Sequence, residues 1–386
     1  MDTIEKYKAY VNTGFVKAVE PVVIDRAEGS HCYDEGGRAY LDCFSGISVT
    51  NAGHGNREII EAAKAQMDQF VHCCSYVYHA RPVADLAEKM AEITPGRLKK
   101  SFFGNGGAEA VEGAFRLARR YTGKTEMIAL THSFHGRSFA TLSVTGNAGR
   151  KRGGGPYMAG VAFAPSPYFY RDPFKSKTPE ACAEACADYL EEVIKFHTSD
   201  HVAFFIAEPV MGEGGILAPP PGYFKRVKEI LDHYGILFIA DEVQSGFGRT
   251  GKMFAIEHYG VEPDIMVMAK GIANGFPLSC FIARDEIAEA FQPGDHLSTF
   301  GGNPVSCAAS LATIRYMEKH DLPGEAARKG QWLMNALREI RPNGVSIGEV
   351  RGLGLMVGVE LVKNAEDRTP ATREAVSYTH LTLPTN

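Results

Sequence analysis

The sequence predicts an α/β protein with a mostly parallel sheet and a second, smaller domain of the α+β type. From about residue 101, short apolar runs alternate with segments of helical periodicity, which is typical of parallel strands joined by helices. Three of these runs end directly on an ionisable residue, at the strand ends where open α/β sheets bind ligands. The length of 386 residues also exceeds what one hydrophobic core usually supports.

The composition excludes several other classes of protein. Hydrophobic residues make up 45% of the chain and charged residues 23%, values typical of a globular protein rather than a disordered chain, a collagen or a coiled coil. The 41 Lys and Arg residues and 46 Asp and Glu residues give a net charge of −5. Because the chain is mildly acidic and has no basic stripe, we expect no nucleic-acid partner.

The compartment is predicted to be the cytoplasm. Residues 1–10 (MDTIEKYKAY) lack the basic start and apolar stretch of a signal peptide, and the longest apolar runs are too short to cross a membrane. The eight cysteines are therefore expected to be free thiols. Cys182 and Cys186 could bind zinc from one helix face, but no second pair has ligand spacing, so packed side chains are favoured and no metal site is predicted.

The elements follow in chain order. A turn at residues 34–37 and a strand at 39–42 belong to an N-terminal stretch of short apolar runs. Strands of the sheet are predicted at residues 101–103, 127–130, 202–207, 237–240 and 265–269, with helices at 108–120 and 222–233. Residues 146–180 are predicted to form a long irregular loop. The smaller domain is expected to contain helices at 305–319 and 324–340 and strands at 345–350 and 355–361.

A glycine loop at residues 103–109 lies between a predicted strand and a predicted helix. Unshielded backbone N–H groups at a helix start bind phosphate. The loop is not a dinucleotide fingerprint, because Glu109 stands where that motif needs glycine. Gly123-Lys124-Thr125 is not a P-loop, because Ala118 replaces its first glycine. A phosphate is therefore plausible, although a tight strand-to-helix turn explains the loop about equally well.

Two further strand ends carry residues with specific chemistry. Asp241 follows the apolar run 236–240, where a buried carboxylate needs a cation or good donors. Lys270 follows the run 265–269, and a desolvated lysine has a lowered pKa and can attach an aldehyde covalently. An aspartate for a pyridinium nitrogen, a lysine for an aldehyde and a glycine loop for a phosphate together match the requirements of pyridoxal phosphate.

The sequence resembles the class III (ω-amino-acid type) pyridoxal-phosphate aminotransferases, a family that includes 4-aminobutyrate and acetylornithine aminotransferases. The resemblance covers roughly residues 15–370, with its motifs in family order. These motifs are GNGGAEA (104–110), SFHGR (133–137), AEPVMGEGG (207–215), DEVQSGFGRTG (241–251), AKG (269–271), TFGGNP (299–304) and VRGLG (350–354). The combination of the Asp241 and Lys270 motifs with Glu208 upstream is highly specific.

The resemblance implies a fold-type I transferase. Its large cofactor domain, with helices on both faces of the sheet, corresponds to residues 51–283. Its small domain is built from both chain ends, residues 1–50 and 284–386. The family is at least dimeric, so a homodimer or a dimer of dimers with sites at the subunit interface is expected.

The resemblance also assigns the cofactor site. The implied cofactor-binding residues are Gly106, Gly107, Ala108, Phe134, His135, Asp241, Gln244, Lys270 and Thr299. Lys270 would carry the cofactor and transfer the proton, and Asp241 would hold the ring nitrogen protonated. Phe134 would stack on the ring and Thr299 would reach the phosphate of the neighbouring subunit. His135 is expected to be a packed or hydrogen-bonded residue rather than a catalyst.

Three residues are implied in substrate binding. Arg351 matches an arginine for the α-carboxylate of glutamate and 2-oxoglutarate, Glu208 matches a gate that pairs with it, and Arg137 matches an arginine for a distal carboxylate. A structural ion pair is the alternative for Arg137 and Glu208. We expect a 4-aminobutyrate-like donor and a 2-oxo acid acceptor. The alternatives are an acetylornithine-type transferase, an aminomutase or racemase, and an inactive truncated chain.

The sequence departs from the family pattern at two places. Gly106 stands where the family usually has Ser or Thr, so one hydroxyl contact to phosphate is absent. Residues 376–386 (VSYTHLTLPTN) match nothing expected of the small domain. A truncated or foreign end is the preferred interpretation, and a genuine short variant is the alternative.

Overall fold

The structure is a computed structural model that describes residues 1–12, 14, 19–342, 345–364, 366–371 and 383–384. Its helices are α1 (Thr3–Tyr10), α2 (Ser45–Ser48), α3 (Arg57–Gln69), α4 (Arg81–Ile93), α5 (Gly107–Thr122), α6 (Phe139–Val144), α7 (Ala148–Lys151), α8 (Pro179–His197), α9 (Tyr223–Tyr234), α10 (Asp285–Ala288), α11 (Pro304–Lys319) and α12 (Leu322–Glu339). Short 3₁₀ turns occupy Phe169–Arg171, Ala255–His258 and Lys270–Ala273.

The strands form three sheets. They are β1 (Ile24–Glu28), β2 (His31–Asp34), β3 (Ala39–Leu41), β4 (Lys100–Gly104), β5 (Glu126–Leu130), β6 (Val161–Ala164), β7 (Val202–Ala207), β8 (Leu237–Asp241), β9 (Ile265–Met268), β10 (Ser279–Ala283), β11 (Ser346–Leu353), β12 (Met356–Val362) and β13 (Leu383–Pro384). The large sheet has the order β4-β10-β9-β8-β7-β5-β6. Within it β10 runs antiparallel to β4 and β9, whereas the other pairs are parallel.

Both faces of the large sheet are covered, because successive side chains of each strand point to opposite faces. In β7, Phe204 and Ile206 join a cluster with helix α5, while Phe205 and Ala207 join a cluster with α8 and α9. Burying one large apolar side chain contributes roughly 1.5–3 kcal/mol. The predicted α/β class, with a mostly parallel sheet and helices on both faces, is confirmed.

The two smaller sheets come from the two ends of the chain. Strands β1, β2, β3 and β13 form one antiparallel sheet, and β11 and β12 form a hairpin against helix α12. The predicted turn at residues 34–37 joins β2 to β3, where the Gly37 amide donates to the Asp34 carbonyl at 2.9 Å. The division into domains at residues 50 and 283 stays a prediction.

The sequence missed two strands of the large sheet. Strand β6 has four residues, lies at the sheet edge and falls inside the segment predicted as an irregular loop. Strand β10 has four apolar residues after Ser279, but it begins only two residues after Pro277 and runs antiparallel to its neighbours, which the alternation of parallel strands and helices does not predict. Helix α11, predicted within the small domain, buries Cys307 and Ile314 in the large core.

Most of the atypical segment 376–386 lies outside the described residues; its described part is β13, which pairs with β3. Among the residues that the structure describes, none of the helices combines the length and apolar character needed to cross a bilayer.

The last helix of the described chain crosses a glycine turn at very close range. A Cβ atom placed on Gly330 of α12 would overlap the backbone of Gly354, in the turn between β11 and β12. Gly354 in turn packs against the backbone of Thr250, next to the loop that follows β8. Position 330 therefore needs glycine for helix α12 to reach both.

We predict that Gly330→Ala destabilises the protein. Overpacking a filled site costs about 1–3 kcal/mol, which exceeds the gain of up to about 1 kcal/mol when alanine replaces glycine in a helix. Urea denaturation should give a lower free energy of unfolding for Gly330→Ala. The matched control is Gln331→Ala at the next, exposed helix position, which should stay close to wild type. Equal stability of both variants would show that the close contact is absent.

Candidate active site

The carboxyl ends of strands β7, β8 and β9 border a cavity of about 470 Å³. These strands are neighbours in the sheet, so the residues that follow them lie along one edge. Glu208, Asp241 and Lys270 all line the cavity. The remaining lining residues are Val49, Asn105, Gly106, Gly107, Ala108, Phe134, His135, Gly136, Arg137, Val243, Gln244, Ala269, Gly275, Phe276, Pro277 and Leu278.

Asp241 is the last residue of β8, and its side chain is 3% exposed. One carboxylate oxygen accepts from the Val243 amide at 3.0 Å, and the other accepts from His135 Nδ1 at 2.7 Å. Because a carboxylate only accepts, His135 Nδ1 carries the hydrogen. The His135 side chain is completely buried, and its Nε2 has no partner among the described residues. His135 therefore fixes the orientation of Asp241.

Lys270 follows β9 by two residues, at the first position of a 3₁₀ turn, and it adopts a positive φ of 46°. A non-glycine residue in this region costs roughly 1–2 kcal/mol. Burial lowers the pKa of the Lys270 amine, while the carboxylates of Asp241, Glu208 and Glu213 oppose the shift. A lowered pKa increases the neutral, nucleophilic fraction of the amine.

Glu208 follows β7 and is 4% exposed. Its two carboxylate oxygens accept from the amides of Phe134 and Gly212, both at 2.9 Å. Burial raises the pKa of Glu208, His135 opposes the rise, and Asp241 adds to it. A buried carboxyl with a raised pKa sits beside Lys270 and Asp241, which makes the cavity wall sensitive to the charge of what it binds.

Glu208 and Arg351 share no hydrogen bond or ion pair in this structure, and the gate predicted from the sequence stays a prediction. Arg351 Nε donates to the Gly215 carbonyl at 2.8 Å, Nη1 donates to Glu349 at 2.8 Å, and Nη2 donates to Glu360 at 3.0 Å. The two carboxylates lie on the same hairpin as Arg351, so they reach the guanidinium before Glu208 does. Arg351 is not among the cavity-lining residues, and its contact with a substrate stays a prediction.

The glycine loop places backbone donors at the start of helix α5. Gly106 is the N-cap of this 16-residue helix, and Gly107 and Ala108 form its first turn. A Cβ atom on Gly107 would lie 3.0 Å from Val243 Cγ1, whereas a Cβ atom on Gly106 would have nothing within 4 Å. The free N–H groups and the helix dipole favour a phosphate here.

Other predicted site residues divide between the cavity and the surface. Phe134 and Gln244 line the cavity, and the guanidinium of Arg137 lies 5.4 Å from the centre of the Phe134 ring. Thr299 is exposed and is not a lining residue, so its contact with a neighbouring subunit stays a prediction.

Sequence reasoning did not single out nine of the residues that line the cavity, namely Val49, Asn105, Gly136, Val243, Ala269, Gly275, Phe276, Pro277 and Leu278. Val243 lies between Asp241 and Gln244, and its motif position could have revealed it. Val49 comes from the N-terminal segment and carries no local signal.

The cavity fits pyridoxal phosphate on its own geometry. It combines a backbone cradle for the phosphate, a buried amine for the aldehyde and an oriented carboxylate for the ring nitrogen.

Comparison with known proteins identifies the family. The profile of the aminotransferase class-III family matches residues 15–379, and the chain belongs to this family. Acetylornithine aminotransferase of Methanothermobacter thermautotrophicus is 40% identical over 355 residues, covering 92% of this chain and 85% of that protein. Leucine/methionine racemase of Thermococcus litoralis is 38% identical over 376 residues, covering 97% and 84%.

The solved structures agree with the family. An amine transaminase from an uncultivated Pseudomonas species, determined in its pyridoxal-phosphate-bound form, superposes with a TM-score of 0.89 at 35% identity. The alignment covers 95% of this chain and 87% of that one. The protein is therefore a class III aminotransferase with the fold-type I architecture, and its cofactor is pyridoxal phosphate.

We predict that Gly106→Ser binds the cofactor more tightly. A Cβ atom at position 106 meets nothing within 4 Å and the backbone is extended (φ −142°, ψ 160°), so this position accepts a side chain without backbone strain. A hydrogen bond to a charged group contributes about 1.5–3 kcal/mol, which corresponds to roughly 10-fold to 100-fold in affinity. Equilibrium dialysis of the apoprotein against pyridoxal phosphate measures this change.

The control is Gly106→Ala, which restricts the same backbone but adds no hydroxyl. Its affinity should remain close to wild type. Equal affinities of the serine and alanine variants would show that position 106 does not face the phosphate.

Proposed function

We propose that the protein transfers an ω-amino group from a donor that also carries a carboxylate to a 2-oxo acid such as 2-oxoglutarate. The observation that carries this proposal is the meeting of Lys270, Asp241 and the α5 phosphate cradle in one cavity. Donors of this type include acetylornithine and 4-aminobutyrate, each with an amine at one end and a carboxylate at the other. The acetylornithine aminotransferases among the relatives support the first.

The residues present would hold the cofactor by three separate groups. The amides of Gly107 and Ala108 would bind the phosphate, Lys270 would bind the aldehyde carbon, and Asp241 would bind the ring nitrogen. When bound, pyridoxal phosphate supplies an electron-withdrawing ring that stabilises negative charge on the carbon bearing the amine. Phe134 and Gln244 on the cavity wall would contact the ring and its hydroxyl.

Lys270 and Asp241 act on different protons of the reaction. The Lys270 amine, whose pKa is lowered by burial, would accept a proton from the substrate carbon and return it as general acid. Asp241 keeps a proton on the ring nitrogen, since a carboxylate beside that nitrogen favours its charged form. His135 holds Asp241 in place through the 2.7 Å hydrogen bond. Asp241 and His135 are buried and Lys270 is half-buried at the cavity wall, which limits the access of water to the transfer.

Arg137 is the proposed contact for the donor carboxylate. Among the described residues that line the cavity, it is the one with a guanidinium, and guanidinium groups bind carboxylates through paired hydrogen bonds. Glu208 also lines the cavity; when ionised it disfavours a carboxylate beside Lys270, so it would be protonated or paired with a cation when the 2-oxo acid binds. This arrangement supports a donor with its carboxylate at the far end from the reacting amine.

Amino-acid racemisation is the second candidate. It is favoured by the similarity to the leucine/methionine racemase over 97% of the chain. Both reactions use the same lysine and differ in whether the amino group leaves the substrate. Chiral chromatography of L-leucine and L-methionine after incubation with the enzyme distinguishes them.

We further propose a homodimer. Apolar side chains of two neighbouring segments are exposed together, namely Val71, Val77, Tyr78, Leu297 and Phe300. The segments touch through the His72 and Phe300 rings and through a hydrogen bond from Asn303 to the Val71 carbonyl. Exposed apolar patches of this kind are typical of subunit interfaces. Thr299 lies within the patch, which supports its predicted reach into a partner's site.

The cytoplasmic location stays a prediction.

We predict that Lys270→Ala abolishes transamination, because the amine is both the covalent anchor and the proton carrier. Borohydride treatment of the wild-type holoenzyme should fix the cofactor on the peptide that contains Lys270, as detected by mass spectrometry. The variant should acquire no covalent cofactor. Turnover of the variant at a rate near that of the wild type would refute the assignment of Lys270.

We predict that Arg137→Gln impairs carboxylated donors selectively. In the donor half-reaction, followed by stopped-flow absorbance of the cofactor, the rate constant divided by Kd should fall roughly 10-fold to 100-fold for acetylornithine and 4-aminobutyrate. Butylamine, which has the chain length of 4-aminobutyrate without its carboxylate, should react within about threefold of the wild-type rate. Equal losses for all three amines would contradict the assignment of Arg137.

A further inference from the structure

Three potential metal ligands from three chain segments converge outside the active-site cavity. Cys32 lies in β2, Asp42 follows β3 directly, and His54 lies in the turn before α3. His54 Nε2 is 2.6 Å from Asp42 Oδ2 and 3.7 Å from Cys32 Sγ. All three ligand atoms lie within 4.8 Å of one another. Imidazole, carboxylate and thiolate are the donors that zinc takes in proteins.

The backbone fixes the positions of these three residues. Cys32 pairs with Tyr40 in the β2–β3 ladder, two residues before Asp42. The His54 amide and carbonyl each form a 2.9 Å hydrogen bond with Gly29, just before β2. The second oxygen of Asp42 accepts from the amides of Phe44 and Ser45, which sets the direction of the first. The cluster is therefore built by the fold and is not a chance meeting of flexible side chains.

Hydrogen bonds among Cys32, Asp42 and His54 do not satisfy all of their polar groups. Asp42 and Cys32 approach the same imidazole nitrogen, and one N–H group can make one strong bond. Asp42 takes that bond, so the thiol at 3.7 Å keeps only a weak contact. A cation would remove this competition for one N–H group, because the imidazole nitrogen, the carboxylate and the thiolate can all coordinate the same ion.

We propose that Cys32, Asp42 and His54 form a zinc site that uses Sγ, Oδ2 and Nε2 and leaves one position for water. Zinc-to-ligand distances of about 2.0–2.3 Å place neighbouring ligands about 3.2–3.7 Å apart. The Cys32-to-His54 distance already fits, and the His54-to-Asp42 distance must open by about 0.6 Å. The His54 side chain is 21% exposed and the Asp42 side chain 7% exposed, which provides access from solvent.

Zinc binding at Cys32, Asp42 and His54 leaves the site without net charge. The thiol loses its proton to solvent, and the imidazole proton moves from Nε2 to Nδ1 so that Nε2 can coordinate. Two anionic ligands and one neutral ligand then neutralise the divalent ion. No oxidant or reductant takes part.

The predicted consequence is structural. Asp42 begins the segment that leads through the turn Ser45–Ser48, whose four residues have positive φ values of 51°, 60°, 68° and 62°. Such a left-handed turn costs roughly 1–2 kcal/mol for each non-glycine residue. It ends at Val49 on the cavity wall. Zinc on Asp42 would therefore stabilise the strained segment that shapes this side of the active site, whatever donor the enzyme uses.

A second cluster serves as the internal comparison. Asp172, Cys182 and Cys186 also lie within 4.8 Å of one another, and this cluster contains two sulfurs instead of one. Both thiols are completely buried in the core, and Cys186 donates to the Ser166 carbonyl at 3.5 Å. It lacks an imidazole and has less access from solvent. The number of sulfur ligands around bound zinc therefore separates the two clusters.

The test uses the holoenzyme incubated with one equivalent of zinc sulfate in buffer without added thiols and then desalted. Metal analysis should find about one retained zinc per chain. X-ray absorption at the zinc edge should show one sulfur at about 2.3 Å and nitrogen or oxygen ligands at about 2.0 Å. Zinc should also raise the unfolding temperature, because a ligand that binds the native state stabilises it.

Cys32→Ser should lose the sulfur signal and the zinc-dependent rise in unfolding temperature. Cys43→Ser, an exposed cysteine next to Asp42, is the matched control and should behave as wild type. Circular dichroism without added zinc establishes that both variants are folded. If Cys32→Ser does not fold, two other measurements decide whether zinc binds at Cys32. The wild type should show one sulfur ligand, and Cys182→Ser should keep its zinc and that sulfur ligand. Two sulfurs, no sulfur, or no retained zinc in the wild type would each overturn the proposal.

Discussion

The burial of opposite charges at one edge of the sheet is the constraint on which the rest of this structure depends. Asp241 ends β8 with almost no access to water, Glu208 follows β7 and is also buried, and Lys270 follows β9 as a half-buried residue on the cavity wall. An isolated buried charge is costly, so each group needs partners fixed by the fold. The amides of Val243, Phe134 and Gly212 and the imidazole of His135 supply them to the two acids. The positions of the chemically active groups at this site therefore follow from the requirement that each buried charge has a partner.

One loop, residues 134–137, forms hydrogen bonds with both Glu208 and Asp241 and carries Arg137. The Phe134 amide donates to Glu208, the His135 side chain donates to Asp241, and the His135 amide donates to Thr145 Oγ1 at 3.1 Å. Arg137 follows two residues later on the same loop. The same short loop therefore holds both buried acids through its hydrogen bonds and also carries Arg137.

The N-terminal segment completes the cavity from outside the large sheet. Asn51 donates to the Phe247 carbonyl at 2.8 Å, and the Ala52 amide donates to Asn274 at 2.9 Å. These contacts attach the segment to the loops that follow β8 and β9, the strands that carry Asp241 and Lys270. Val49 reaches the cavity because of this attachment. The left-handed turn before Val49 keeps its shape since it is tied at both ends, by Asp42 and by these two asparagines.

The sequence by itself determined the strands that carry the chemistry, the charged residue at each strand end and the glycine loop. These features are local: a buried strand needs a short apolar run, and a helix start with glycines exposes its amides. Only the tertiary structure decided which groups meet. His135 and Asp241 are 106 residues apart, Phe134 and Glu208 are 74 residues apart, and Cys32, Asp42 and His54 come together from three segments. Such contacts depend on the approach of distant segments, which no local pattern of residues encodes.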